Sequence, residues 1–276
     1  MIRRMTADDI PAGMRLKETA NWNQTAQDWE NVLAIEPQGC WVYESEGNIV
    51  GSTTAVAYGE DLAWIGMVLV LPEYRGRGIA RALMEHALRY LDARGVKCVK
   101  LDATDMGRPL YERLGFVEET TIERWAGAFN AASPPDHRSV PARLLDVAEI
   151  AALDQAAFGA GRSRLLDRLS VTFPEDGHCL PGGYVMGRPG VREYFLGPCV
   201  ADNAAEARRL IAHFLSQHPT ARVFWDLLPA NQDAVDLARS FGFEPQRKLA
   251  RMALQGGVCQ PGNVARVFAA AGFEYG

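Results

Sequence analysis

The chain holds 276 residues, room for two domains at roughly 150 residues each, and its 48% hydrophobic and 23% charged content excludes disordered, collagenous and fibrous classes. Against 34 acidic residues stand 29 basic ones, a net charge of −5. A protein that coats nucleic acid would carry the opposite sign, so no nucleic-acid partner is expected.

Residues 8–20 and 25–35 read as helices joined by Asn21-Trp22-Asn23-Gln24. Residues 39–43 and 49–58 read as strands around the turn Glu46-Gly47-Asn48, and Leu62–Val70 follows a second turn, which gives an antiparallel meander. Leu62–Val70 does not alternate with polar residues and is expected to be a central strand covered on both faces. In residues 79–92 the apolar Ala80, Leu83, Met84, Ala87, Leu88 and Leu91 recur at helical spacing, so this helix packs on the sheet. A strand at 97–104, a short helix at 109–114 and a strand from Phe116 close the first half.

Residues 126–141 contain three prolines and no apolar period, and are expected to be a linker. Before it lie 14 basic and 19 acidic residues; from residue 126 on there are 15 of each. The second half repeats the plan: helices at 146–158 and 163–169, strands at 184–187 and 192–200, a helix at 204–217, a strand at 222–228, a helix at 231–241 and a strand at 243–254. Arg113-Leu114-Gly115-Phe116 is echoed by Ser240-Phe241-Gly242-Phe243. The matched order points to a duplicated fold of the α+β class, built on a mixed α/β sheet.

The longest apolar run, residues 62–72, is eleven residues, whereas a membrane span needs about 20. Asp8 and Asp9 stand where a secretion signal would place its apolar stretch. Cys40, Cys98, Cys179, Cys199 and Cys259 are far apart and form no C-x-x-C pair, so all five are expected to be reduced thiols of a cytoplasmic protein. His86, His137, His178, His213 and His218 show no metal spacing, and no metal is expected. Nothing in the sequence sets an oligomeric state.

The decisive stretch runs from Met67-Val68-Leu69-Val70 through Leu71-Pro72-Glu73-Tyr74 into Arg75-Gly76-Arg77-Gly78-Ile79-Ala80-Arg81. A glycine-rich loop that opens a helix offers free amide hydrogens and the positive end of a dipole to an anion, and Arg75, Arg77 and Arg81 add charge. A Walker loop is excluded because no lysine precedes serine or threonine. A dinucleotide fingerprint fails because Arg81 occupies its last small-residue position and hairpins precede the strand. What remains is Arg75-x-x-Gly78-x-Ala80.

With that motif, the preceding Val68-Leu69-Val70 and the later Tyr111-Glu112-Arg113-Leu114-Gly115-Phe116, residues 1–125 resemble the GNAT acyltransferases. Trp22-Asn23-Gln24, Trp64-Ile65-Gly66-Met67-Val68, Leu101-Asp102-Ala103-Thr104 and the repeated plan are similar to a tandem two-domain bacterial subgroup. The resemblance implies two tandem acyl-CoA N-acyltransferase folds: a catalytic domain at 1–125, the linker at 126–141, and a degenerate domain with a C-terminal tail at 142–276. It implies acetyl-CoA as acyl donor, held by Met67, Val68, Leu69, Val70, Arg75, Gly76, Arg77, Gly78, Ile79, Ala80 and Arg81. The acceptor it implies is the amine of a small molecule or amino acid.

Only one half is expected to bind the donor. Leu83 stands 17 positions after Gly66, and its counterpart Leu210 only 13 after Gly197, and the four missing positions belong to the loop. Asp202-Asn203-Ala204-Ala205-Glu206 stands there instead, and Ala238 stands where Tyr111 would be.

The attacking amine must be neutral, which for a pKa near 10.4 costs roughly 4.6 kcal/mol at pH 7. No carboxylate lies in Leu62–Val70, so Asp102, on the polar face of its strand, is the first candidate base, ahead of Asp61 and Glu30. Asp102 reads equally as an anchor for a neighbouring loop. By resemblance Tyr111 is the acid that protonates the departing thiolate; a tyrosine packed on the sheet is the other reading. Trp22, Asn23 and Gln24 are either acceptor contacts, as the resemblance implies, or a helix-capping turn. Tyr184, Arg188, Asp226 and residues 262–276 are candidates to close the cleft. The alternative function is a non-catalytic acyl-CoA sensor.

Overall fold

The computed structural model describes residues 1–128 and 143–276. The first half comprises β1 (Ile2–Arg4), α1 (Ile10–Thr19), α2 (Ala26–Ile35), β2 (Cys40–Ser45), β3 (Asn48–Tyr58), β4 (Leu62–Val70), α3 (Ile79–Ala93), β5 (Val99–Ala103), α4 (Arg108–Arg113) and β6 (Phe116–Ala128). The second comprises β7 (Arg143–Leu144), α5 (Val147–Phe158), α6 (Ser163–Thr172), β8 (His178–Leu180), β9 (Gly183–Arg188), β10 (Tyr194–Ala201), α7 (Ala204–Gln217), β11 (Arg222–Leu227), α8 (Gln232–Ser240), β12 (Glu244–Leu254) and β13 (Val267–Ala269). Of the expected linker, residues 126–128 belong to β6, and residues 129–141 lie outside the described residues.

Local chemistry sets the helix starts. Thr25 accepts from the Asp28 amide at 3.3 Å while Asp28 accepts from the Thr25 amide at 2.7 Å, a reciprocal cap that opens α2. Leu16, Trp29 and Val32 of α1 and α2 and Leu165, Leu166 and Leu169 of α6 pack with Trp64 on one face of the sheet. Leu83, Met84, Ala87 and Leu91 of α3 pack with Ile65 and Leu101 on the other, and Ile211 and Phe214 of α7 extend that layer over Trp225.

The strands form one sheet in the order β1-β2-β3-β4-β5-β12-β6-β11-β10-β9-β8-β7, with β13 added on β10. The closing strands are therefore exchanged. The expectation that the strand from Phe116 closes its own half is corrected: β6 pairs with β11 of the second half, and β12 pairs with β5 of the first. The two strands also pair antiparallel with each other from Glu244↔Ala126 to Leu254↔Phe116. Because both closing segments descend from one pattern, hydrophobic periodicity fits either edge, and only tertiary pairing chooses.

Each exchanged strand is locked by the same buried device. Arg251 on β12 donates to both carboxylate oxygens of Asp102 on β5, at 2.9 and 3.0 Å. Arg124 on β6 donates to both oxygens of Asp226 on β11, at 2.7 and 2.6 Å. Arg124, Asp226 and Arg251 are buried, and the Asp102 side chain is shielded from solvent. Forked arginine–carboxylate pairing satisfies both partners and fixes their registration.

The cysteine expectation is corrected. Cys98 and Cys259 form a disulfide with α-carbons 4.9 Å apart. After β12 the chain turns back so that the Val258 amide donates to the Lys97 carbonyl at 2.9 Å, which lays residue 259 beside residue 98. A separation of 161 residues hides that proximity from any spacing rule. Cys40, Cys179 and Cys199 are free and buried, and burial pushes the thiols of Cys40 and Cys199 up.

Two outcomes are expected. Alkylation of denatured, unreduced protein followed by mass spectrometry labels three cysteines, against five after reduction. Asp102→Asn leaves Arg251 buried without its countercharge and lowers unfolding free energy by about 3–5 kcal/mol in a denaturant titration, whereas replacing both partners by Leu and Met is tolerated.

Candidate active site

The site begins at an irregularity in β4. Across β3 and β4, Ser52 faces Leu69 and Thr54 faces Gly66, so Met67 and Val68 together oppose Thr53. Met67 takes φ +50° to make this bulge, and its carbonyl accepts the Ser52 hydroxyl at 2.8 Å. The bulge turns β4 away from β5. Their parallel pairing covers only Ala63↔Val99, Trp64↔Lys100 and Ile65↔Leu101. Beyond Gly66 and Asp102 the two strands part as a fork, and no described strand enters it.

Beyond the fork, a turn of 3₁₀ helix at Pro72–Tyr74 leads into the glycine loop. Arg75 Nε donates to the Val70 carbonyl at 3.1 Å, and Arg77 donates to the Glu73 carbonyl at 2.9 Å with its guanidinium 4.9 Å from the Tyr74 ring. These contacts hold the loop open. Gly76 and Gly78 adopt φ +74° and +77°, which favours glycine, and no atom stands within 4 Å of where a β-carbon would be at either. Gly78 starts α3 without any side-chain cap. By contrast, Thr25, Asn203 and Asn231 cap α2, α7 and α8 through their side chains. Met67 to Val70 thus line one arm of the fork and Arg75 to Arg81 form its head, with Arg81 paired to Glu85 at 2.7 Å on the surface.

Tyr111 of α4 lies in the core cluster that includes Val70, Ile79 and Ala103. Its ring stands 6.2 Å from Phe116, and a β-carbon on Gly107 would fall 2.9 Å from the ring. Burial raises its phenol well above the ordinary value, so it holds its proton at neutral pH.

The second half has the same fork, filled. Gly197 and Pro198, joined by a cis peptide, bulge opposite Met186, and β10 pairs with β11 over three residues before parting. β13 occupies the gap: Cys199 faces Ala269 and Val200 faces Val267, while the Ala270 amide donates to the Asp226 carbonyl at 2.8 Å. The Asn203 side chain takes the amides of Ala205 and Glu206, each at 3.0 Å.

The first-choice base does not stand free. Burial raises the Asp102 carboxyl and Arg251 opposes that shift, but both oxygens are engaged by Arg251. Asp226, in the half whose fork is filled, makes the same pair, which marks the arrangement as a fold anchor. Asp61 pairs with Lys97 at 3.2 Å before the start of β4, and Glu30 receives Gln27 at 2.9 Å on the surface.

Around the predicted acceptor turn, Trp22 is half-buried. Asn23 serves the fold: its amide donates to the Glu193 carbonyl at 2.7 Å and accepts the amides of Arg192 and Glu193 at 3.0 and 3.2 Å. Gln24 Nε2 donates to Glu274 at 3.0 Å, while its Oε1 is buried with no partner.

Glu274 is the residue that sequence reasoning did not single out. A β-carbon on Gly66 would lie 2.9 Å from the Glu274 α-carbon, so glycine there admits the chain's last segment against the base of the fork. Trp64 donates to the Phe273 carbonyl at 3.2 Å and Tyr58 to the Tyr275 carbonyl at 2.7 Å. Arg188 donates to Glu274 at 2.7 Å and to Asp28 at 2.8 Å. Of the other residues named to close the cleft, Asp226 serves Arg124, and Tyr184 bonds Asp154 in the core. Gln24, Asp28, Arg124, Arg188, Phe195 and Glu274 surround a small cavity.

Among the described residues no group of three His, Cys, Asp or Glu could hold a metal ion, and no helix is long and apolar enough to cross a membrane. His137 lies outside the described residues.

The sequence pattern of the Acetyltransferase (GNAT) family matches residues 9–116, and that of the Acetyltransferase (GNAT) domain matches residues 150–269. Holothin acyltransferase of Pseudoalteromonas sp. is 27% identical over 231 residues, covering 81% of this chain and 77% of that protein. The N-acetyltransferase YitH of Bacillus subtilis, whose own role is uncharacterised, is 25% identical over 217 residues, 75% of each chain. A crystal structure from Pyrococcus horikoshii superposes with a TM-score of 0.86 at 23% identity over 100% of this chain and 95% of that one. A GCN5-related N-acetyltransferase from Sphaerobacter thermophilus superposes with a TM-score of 0.66 at 14% identity over 95% and 96%. The chain belongs to the GNAT acetyltransferases, enzymes that use acyl-CoA, and carries two such domains in tandem.

Proposed function

We propose that the protein is an acetyl-CoA-dependent N-acetyltransferase in which the first half alone carries the donor and the second shapes the acceptor cleft. The observation that carries this reading is the open fork of β4 and β5, continuous with the uncapped glycine loop at the head of α3. The filled fork beside β10 supports it by contrast: an extended chain seats there with strand-like hydrogen bonds. In the first half the slot is left for an extended amide-bearing donor along Met67, Val68, Leu69 and Val70. The amides of Gly76 to Arg81, with Arg75, Arg77 and Arg81, suit a pyrophosphate. Such a donor is made in the cytoplasm, where we place the protein; reductants there can open the Cys98–Cys259 link.

Bound there, acetyl-CoA supplies an activated acyl carbon and a thiolate leaving group. Tyr111, kept protonated by burial, donates to the departing sulfur. Glu274 takes the place first given to Asp102: its oxygens also have partners, Arg188 and Gln24, but Glu274 lines the cavity and Asp102 does not. Burial raises its carboxyl against the pull of Arg188, which makes it a better proton acceptor for an incoming ammonium. Trp22 and Gln24 border the acceptor, and Asn23 holds the loop that backs them.

Calorimetry with acetyl-CoA, followed by a thiol-release screen across small amines, tests the reading. Binding with turnover of at least one amine is expected. Binding without turnover of any amine would make the protein a sensor, and no binding would overturn the cofactor site. Tyr111→Phe is expected to lower kcat by about 10²-fold with acetyl-CoA affinity nearly unchanged. Because only ionised Glu274 accepts a proton, turnover should fall as pH drops through a midpoint above the ordinary 4.5, and Glu274→Gln should remove that limb of the pH–rate profile.

A further inference from the structure

We infer that the acceptor carries a carboxylate and that Arg247 binds it, so the substrate is a small amino acid and not a simple amine. The inference rests on the acetyl-transfer reading and adds the acceptor's chemical class. Arg247 lies near the start of β12 directly opposite Arg124 on β6, and Arg124 lies directly opposite Asp226 on β11. Directly opposed residues share a face, and like charges so placed repel. Both oxygens of Asp226 are taken by Arg124, so Arg247 receives its attraction without a hydrogen bond, and burial and Arg124 outweigh it.

The other arginines buried on this side of the sheet all hold a carboxylate. Arg251 has Asp102, Arg188 has Asp28 and Glu274, and Arg162 has Asp154. Arg247 is half-buried, its Nε has no hydrogen-bond partner, and among the described residues no acidic group pairs with it. Its guanidinium stacks 5.0 Å from the Phe273 ring, which Arg124 flanks at 4.4 Å. Burial and the neighbouring Arg124 charge lower its pKa to about 10, so it remains a cation at neutral pH. A cation desolvated beside another cation calls for an anion.

Its position fits an acceptor ligand. β5 ends at Ala103, opposite Ala250. Arg247, three residues earlier on β12, therefore stands beyond the end of β5, level with the open side of the fork and two strand widths, roughly 10 Å, from β4. A second unmet group lies beside Glu274. Gln24 Oε1 is buried, accepts nothing and borders the cavity that Glu274 and Arg124 also line. It calls for an N–H donor. Arg124 stands between the two, beside Arg247 at the Phe273 ring and beside Gln24 in the cavity wall, and a molecule bearing both an amino and a carboxylate group completes both.

The test is calorimetric titration of CoA-loaded protein with a panel of free amino acids and with the amines that remain when their carboxylates are removed. At least one amino acid is expected to bind tenfold or more tightly than its decarboxylated counterpart. Arg247→Met should erase that ratio and raise KM for the amino acid tenfold or more with less than twofold change in kcat, and Arg247→Lys should restore part of it. Arg247→Met should also keep or raise the melting temperature, because it removes a like-charge pair; a purely structural arginine would lower it. Equal or tighter binding of the decarboxylated amines, unchanged binding in Arg247→Met, or failure of every amino acid to bind would each overturn the proposal. Titration with acetyl-CoA alone reports separately on the donor site, and its affinity should be the same in Arg247→Met and the parent.

Discussion

The architecture depends on two buried arginine–aspartate pairs, Arg251 with Asp102 and Arg124 with Asp226. Ion pairs out of water contribute little net stability, since desolvation of both partners offsets most of their attraction. Their value is registration. Arg124 and Arg251 each stand eight residues after the phenylalanine that opens their strand, so either arginine suits either aspartate, and what the pairs fix is how far each closing strand slides along its neighbour, since a slipped strand would bury an unpaired charge. The long antiparallel ladder between β6 and β12 then follows, with the two domains joined along their middle strands.

From that joint the two halves diverge. Both keep the bulge and the three-residue parallel pairing that split their central strands. In one the gap stays open and a helix beyond it begins on a bare glycine; in the other β13 fills the gap and Asn203 occupies the helix amides. A slot that takes an extended chain in one copy is the natural slot for an extended cofactor in the other. The segment that follows β13 then crosses to the first half, where Glu274 meets Gly66. One stretch of chain thus fills the fork of the second half and packs against the base of the open fork in the first.

Much of this was legible in the sequence. The meander, the amphipathic α3, the glycine loop and the repeated element order all follow from period, turn residues and spacing, which are local quantities. The four positions missing before Leu210 shorten the connection into α7, and Asn203, noted there for its acidic neighbours, is the side chain that caps that helix. What escaped was long-range. Asp102 read equally as a base and as an anchor because Arg251, which decides between them, lies far along the chain. Cys98 looked like a lone thiol for the same reason. Asn23 and Gln24 looked alike, yet one is consumed by the loop before β10 and the other retains an unused oxygen. Short strands such as β1, β8 and β13 carried too few residues to show an alternation.

The exchange of closing strands bears on how such a protein can change over generations. A duplicated copy joined to its twin only by a linker is ordinarily free to erode and vanish. Here the second half donates β12, which lies against β5 on one flank of the open fork, and receives β6 in return. Deleting the second half would strip the first of an interior strand and uncover Asp102 and Trp64. Neither half can be lost alone, and each is open to revision chiefly on surfaces away from the shared seam.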